Sequence, residues 1–414
     1  MSVMKNLFIV LAFITVVGLH AEERLRVRIY ADKTITEASF QHLFGRYRII
    51  LDNNNTHTLN RSDNFVLTAD NNKVKVICND SVWGNFTKVE MVSDDLKSFF
   101  YIAPNNKQSA SRKYDDNLEI TSNGKELIFI NEVLMENYLA GVVQSETWGA
   151  TKDPQFFRIQ AIISRNYALS NINKHKKDGY NLCDGVHCQA YYNRANQPEV
   201  IEGAFRSRGE IITDSAGNFI EALFFSNSGG ETANAEDVWG KAIPYLKSVQ
   251  DTFSLSGKAA RWEKYIPMND WLQFFRSKGI ASRKKEIKEQ LIHFAQDSGR
   301  KVHIMNIPLT EIRKHFQLRS TYFSVQPWGG QVKLNGRGYG HGVGLSQEGA
   351  IQMSSEGYEY YEIIEYYYTG VKVKRMDQDA VIADSQKNTL SEDTLVTPPE
   401  EKDTENTDTI LTEE

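Results

Sequence analysis

Residues 128–170 read IFINEVLMENYLAGVVQSETWGATKDPQFFRIQAIISRNYALS. Two helices can be traced in this stretch. The first runs from about Glu132 to Ser145. Leu139, Val142 and Glu146 are spaced +3 and +4, so a carboxyl closes an otherwise apolar face at the helix end. Asp153-Pro154 supplies an N-cap and a first-turn proline for the second helix. Its apolar stripe is Phe156, Ile159, Ile163 and Tyr167, while Arg158 and Arg165 share another face.

Strand-like segments lie on both sides, which makes the chain α+β. Residues 22–120 are β-rich. Leu25 to Tyr30 and Lys73 to Ile77 alternate cleanly, and Asn/Asp/Gly clusters punctuate the region. A second β-rich stretch spans 199–250 and includes Gly209–Thr213 and Phe219–Phe225. Residues 268–320 read as mixed helical, with a charged helix around Ser282–Gln296. A glycine-rich loop leads into a helix from about Ser346 to Ser355, which Gly357 should terminate. A tyrosine-rich helix, Tyr360 to Tyr368, ends at Gly370. No repeat of fixed period is present.

The glycine-rich loop, residues 336–350, reads GRGYGHGVGLSQEGA. Six of its fifteen residues are glycine, in a chain with 27 glycines among 414 residues. Neither a helix nor a central strand favours that density, because glycine loses backbone entropy and packs no side chain. The loop suits a close backbone approach around one histidine, His341. It fits neither nucleotide-binding glycine pattern.

The ends of the chain differ from its body. Residues 1–21 read as an export signal, with Lys5, an apolar run from Leu7 to Leu19 and cleavage after Ala21. The run is short for a membrane span, and an uncleaved N-terminal anchor is the alternative. No other segment suits a span, so the protein is expected in the periplasm or cell wall. Residues 376–414 hold twelve Asp/Glu and two Lys, a charge of −10 in a chain of net −5. This acidic segment is expected to be disordered. The rest is mildly basic, which suits an anionic polymer such as cell wall. No nucleic-acid partner is expected. Three cysteines, Cys78, Cys183 and Cys188, do not make a disulfide scaffold.

Several residues can carry chemistry. Glu146, at the end of an apolar face beside Trp148, is an acid candidate if burial keeps its proton near neutral pH. The alternative is an ordinary helix-end glutamate. Cys183-Asp-Gly-Val-His187-Cys188 gathers soft ligands that suit zinc. A small disulfide loop or two buried thiols are the alternatives, and no fourth ligand is evident. Ser226-Asn-Ser-Gly-Gly-Glu231 lacks the nucleophile-elbow pattern and reads as a tight turn at a cleft edge. His341 is either a loop organiser or a catalyst. The tyrosines of 358–368 either stack on sugar rings or fill the core.

Four segments in one order resemble the stage II sporulation protein D/LytB family (SpoIID/LytB). They are residues 128–170, CDGVHCQAYYN, FFSNSGGETANAEDVWGKAIPYLKSVQD, and GRGYGHGVGLSQEGA with the following YYEIIEYYYTG. Together they cover most of 120–375. The resemblance implies a catalytic body over 121–375 and lytic transglycosylase activity on peptidoglycan glycan strands stripped of stem peptides. It puts the catalytic glutamate at Glu146 and associates zinc with Cys183, His187 and Cys188. Substrate contacts are expected at Arg165, Gln160, Ser228, His341, Ser346 and Gln347. A non-catalytic enhancer of a cell-wall amidase is the first rival, and a zinc hydrolase the second. The chain departs from the family pattern at Thr147-Trp148, at Tyr339 where tryptophan is common, and around 280–300, which reads as an insertion.

Overall fold

The computed structural model describes residues 24–52, 55–95, 97–106, 108–147, 149–185, 187–297 and 299–376. The export signal, Trp148 and the acidic segment beyond Met376 lie outside the described residues.

The N-terminal region forms two sheets. In the strand Arg24–Ile29, Leu25, Val27 and Ile29 point inward and the arginines outward, the period-2 pattern of a half-buried strand. It pairs antiparallel with Leu127–Leu134, Val27 opposite Asn131. That sheet continues through Asn117–Ser122, Val89–Ser93, Tyr47–Leu51 and Asn55–Thr58. The second sheet has six strands from Arg112–Asp115 to Ser81–Phe86. The two meet face to face, the Tyr47 ring lying 6.4 Å from both Phe40 and Phe100.

Leu127–Leu134 corrects the expected start of the first helix at Glu132. Its inward residues complete the sheet, so Glu132 to Leu134 stay extended. The helix α1 is Met135–Thr147. Asp116 sets its start by accepting from the Leu134 N–H and the Asn137 amide, both at 2.9 Å. The helix α2 is Pro154–Ser170, and Asp153 caps it by accepting from the Gln155 N–H at 2.9 Å. Phe156, Ile159 and Ile163 are buried as their spacing predicts.

The stretch 199–250 is less β-rich than its sequence suggests. It opens with the helix α3, Pro198–Arg206, which buries Val200, Gly203 and Ala204 against α2. Only the short strands Glu210–Thr213 and Phe224–Phe225 follow. Proline at the first helical position here repeats the signal that starts α2.

Residues 261–337 build a second, separate core around Trp271, Phe275, Ile312 and Leu334. A three-stranded sheet is covered by helices Met268–Ser277, Lys285–Ile292 and Leu309–Phe316. The charged helix therefore stops short of Gln296. Beyond His293 the chain turns back onto the sheet, where the Gln296 amide donates to the carbonyls of Thr321 (3.0 Å) and Phe323 (2.9 Å).

After the glycine-rich loop come helices Gln347–Ser355 and Tyr360–Tyr367. Tyr367 and Tyr368 fill the main core, while Tyr358 and Tyr361 stay exposed. No helix among the described residues is long and apolar enough to cross a membrane.

Candidate functional site

Glu146 lies in the last turn of α1, over the segment 183–197. Several bonds hold that segment to the helix. The Tyr138 hydroxyl donates to the Gln189 side chain at 3.2 Å. The Gln144 side chain accepts from the backbone N–H groups of Asn196 (2.8 Å) and Gln197 (3.0 Å). Gly141 permits the approach, since a Cβ there would fall 2.5 Å from the Tyr191 ring and 2.7 Å from the Asn193 carbonyl. Glu146 itself accepts from the Ala190 N–H at 3.4 Å.

Burial raises the Glu146 pKa above the ordinary carboxylate value, and the Ala190 N–H works against that rise. The residue surface is nonetheless open to water. Many protein atoms thus surround a carboxyl whose residue stays accessible to water. Water reaching it screens the desolvation, so the upward direction stands and the effect is modest.

Beside Ala190 lies a cluster of four ligand-type side chains: His175, Cys183, His187 and Cys188. Their ligand atoms all lie within 4.8 Å of one another. The Cys183 and Cys188 sulfurs stand 3.7 and 3.8 Å from His187 Nδ1, and Cys188 stands 3.5 Å from His175 Nε2. An S···N edge of a zinc tetrahedron is about 3.6 Å, so the donor set fits a tetrahedral soft-metal site. His175 Nδ1 faces Asp178 at 3.6 Å and its ring stacks on Tyr180 at 4.7 Å. That turns Nε2 toward the sulfurs, the support usual for a metal-bound imidazole. The thiols are not bridged. Their mutual hydrogen bond draws Cys188 down to about 7 and, with burial, pushes Cys183 up.

His175 is the fourth ligand missing from the sequence reading. It follows α2, eight residues before Cys183, outside the compact cysteine motif. A second unread residue is Asp184, which braces the loop. Its buried carboxylate accepts from the N–H groups of Tyr30 (2.6 Å) and Ala31 (3.0 Å) and from Arg112 (2.7 Å). The N-terminal sheets thus hold the loop that faces Glu146.

The serine-glycine turn and the glycine-rich loop form a neighbouring cluster. Asn227 and Tyr339 exchange backbone hydrogen bonds at 3.1 and 2.8 Å. Gly344 has φ +80°, and a Cβ there would lie 2.1 Å from the Leu223 carbonyl. Ser228 is buried and bonds to Asp251 and Ser254, each at 2.7 Å. Ser346 is fully buried and caps the helix Gln347–Ser355, accepting from the Gly349 N–H at 3.3 Å. Gln347 is half-buried at the head of that helix. His341 uses both ring nitrogens on backbone: Nε2 donates to the Phe224 carbonyl (3.0 Å) and Nδ1 accepts from the Val343 N–H (3.2 Å). Burial draws its pKa down to about 4, so the ring is neutral. These bonds describe a loop organiser.

Tyr167 lies beside the metal-type cluster. Its hydroxyl approaches the His187 carbonyl at 3.4 Å. Burial, then the thiols of Cys188 and Cys183, then the Glu221 carboxyl push its pKa up. Arg165 lies elsewhere. It is fully buried, donating to the Ser207 and Glu210 carbonyls and pairing with Glu136 at 3.2 Å. Gln160 is buried on α2, and its amide nitrogen has no partner among the described residues.

Residues 123–214 match the family described as "Stage II sporulation protein". That span holds α1, Glu146, α2 and the whole His/Cys cluster. The stage II sporulation protein D of Bacillus subtilis (strain 168) is 29% identical over 265 residues, covering 60% of this chain and 76% of that protein. The corresponding protein of Bacillus amyloliquefaciens is 28% identical over 271 residues, with the same coverage. Over this span the chain is similar to the SpoIID/LytB family. A more distant relative is the amidase enhancer of Bacillus subtilis (strain 168), 23% identical over 286 residues and 39% of its own length. The SpoIID/LytB-type segment thus brings Glu146 and the cysteine motif together, while the second core of 261–337 separates its last two sequence blocks.

Proposed function

We propose that this protein remodels the cell wall as a peptidoglycan lytic transglycosylase with Glu146 as its acid. The reading rests on one observation. Glu146 is a water-accessible carboxyl whose pKa is raised, held by the Ala190 N–H on the loop that carries the His/Cys cluster. A carboxyl in that state can hold a proton and deliver it.

Glu146 gives its proton to the oxygen between muramic acid and glucosamine as the bond from the muramic C1 breaks. The 6-hydroxyl of the same muramic acid then attacks C1 and returns its proton to Glu146. The product is a 1,6-anhydro end and no water is consumed. One carboxyl therefore serves, where ordinary glycosidases use two. The similarity to stage II sporulation protein D supports a cell-wall substrate.

Zinc is the metal the donor set favours, with His175, Cys183, His187 and Cys188 as its ligands. When bound it supplies a cross-link rather than an open catalytic position, because four side chains complete a tetrahedron. These residues then fix the loop that presents the Ala190 N–H to Glu146. The similarity to an amidase enhancer favours a second reading, a non-catalytic glycan-binding protein that assists a cell-wall amidase. Product analysis separates the two. Purified protein on stem-free glycan should release anhydro-muramyl fragments, and Glu146→Gln should abolish them. Glycan binding without products from the wild type would establish the enhancer reading.

A further inference from the structure

The N-terminal sandwich has an open hollow at one end, where three inter-strand turns meet. Phe44 and Arg46 come from one turn, Arg61 from the next, and Asp95 and Lys97 from the third, with His42 at the base. None of these residues takes part in the chemistry described above.

Three features make the hollow more than a gap between loops. The first is its charge. Arg46 is tied to Asp95 at 3.1 Å. Arg61 and Lys97, both exposed, have no hydrogen bond or ion pair among the described residues. Two cations therefore face the hollow without a carboxylate. The second is an aromatic platform. Phe44 is 48% exposed, and its ring stacks on Phe99 at 5.9 Å with an interplanar angle of 10°. One ring face is backed and the other is open. The third is His42, only 3% exposed, whose ring nitrogens have no hydrogen-bond partner among the described residues. A ring nitrogen without a protein partner is free to meet a group that enters the hollow.

The hollow is also joined to the loop beside Glu146. Arg194 lies over the Phe99 ring at 4.1 Å from its centroid and pairs with Asp115 at 2.8 Å. Arg194 is four residues beyond Ala190, so a fully extended chain would separate them by at most about 14 Å.

We propose that this hollow is an accessory site for a carboxylate-bearing glycan. The apolar face of a sugar ring would lie on Phe44, its carboxylate on Arg61 and Lys97, and a hydroxyl on His42. The proposal rests on the cell-wall reading, in which the lactyl group of muramic acid supplies that carboxylate. Charge complementarity favours this occupant over a neutral glycan. The hollow would retain a strand while Glu146 works on another part of it.

The test uses the full chain carrying Glu146→Gln, so that binding is measured without turnover. The probe is stem-free glycan strands with free carboxylates, compared with the same strands reduced to alcohols. Adding Arg61→Gln and Lys97→Gln should raise Kd for the carboxylated strands by about ten-fold, a 1.4 kcal/mol change. It should leave the reduced strands unaffected. Phe44→Ala should weaken both. An unchanged Kd for the carboxylated strands, or an equal loss on both probes, overturns the proposal. So does a gain on deleting residues 377–414 that disappears in the double variant, because the acidic segment would then be the occupant. If the wild type forms no anhydro products yet charge-selective binding persists, the transglycosylase reading fails and this site stands.

Discussion

Arg112→Met should destabilise the protein by about 3 kcal/mol, the low end of the range for breaking a buried ion pair. Asp184 sits in the middle of the cysteine motif, and its side chain is 1% exposed. Arg112, 12% exposed, is its sole charged partner in the hydrogen bonds it accepts. Removing the guanidinium leaves a buried carboxylate with only the Tyr30 and Ala31 N–H groups. Those two bonds and the slight exposure of Arg112 keep the loss at the low end. Arg112 also lies over the Tyr30 ring at 4.4 Å, which adds a smaller cation–π loss. The assay is urea unfolding at neutral pH, with the slope of the transition checked for constancy. Asp184→Asn in the Arg112→Met background should recover part of the loss, because the uncompensated charge is gone. A loss under about 1 kcal/mol, as for a surface pair, would refute the idea that the N-terminal sheets brace the Glu146 loop through this contact.

Three further outcomes are expected. Gly141→Ala, which in an open helix would gain about 1 kcal/mol, should instead destabilise, since the new Cβ meets Tyr191 and Asn193; thermal unfolding reads the sign. His341 is neutral in the folded state with its pKa near 4, below the ordinary value, so stability should be full above pH ~6.5 and be lost as pH falls toward 4, by at most about 3 kcal/mol. The imidazole is only partly shielded from water, which makes that figure a ceiling, and a His341→Asn variant should flatten the acid limb of the stability profile. Strong chelation should lower the melting temperature of metal-loaded protein, and His175→Ala should weaken zinc affinity by at least ten-fold in a competition titration; equal affinities would exclude His175 as a ligand.

Local signals carried much of the fold. Asp153-Pro154 announces α2, Ser346 announces the helix after the glycine-rich loop, and the alternation from Leu25 marks the first strand. The position of Glu146 at a helix end was also legible, because i, i+3, i+4 spacing is a local property. Long-range choices were not. Glu132 to Leu134 become strand because Arg24–Ile29 and Asn117–Ser122 lie on either side to pair with them. His175 joins the cysteines only because the chain turns back after α2. Arg165 matches the family motif in sequence, yet its burial against Ser207, Glu210 and Glu136 depends on a loop some 40 residues away.

The most direct test runs the cleavage in water enriched in oxygen-18. Intramolecular attack by the 6-hydroxyl predicts anhydro-muramyl ends without label from the wild type, and no new ends from Glu146→Gln. Labelled reducing ends would show that water is the nucleophile, and unchanged products from Glu146→Gln would show that another group is the acid. Either result would contradict the assignment of Glu146 as the acid of a lytic transglycosylase.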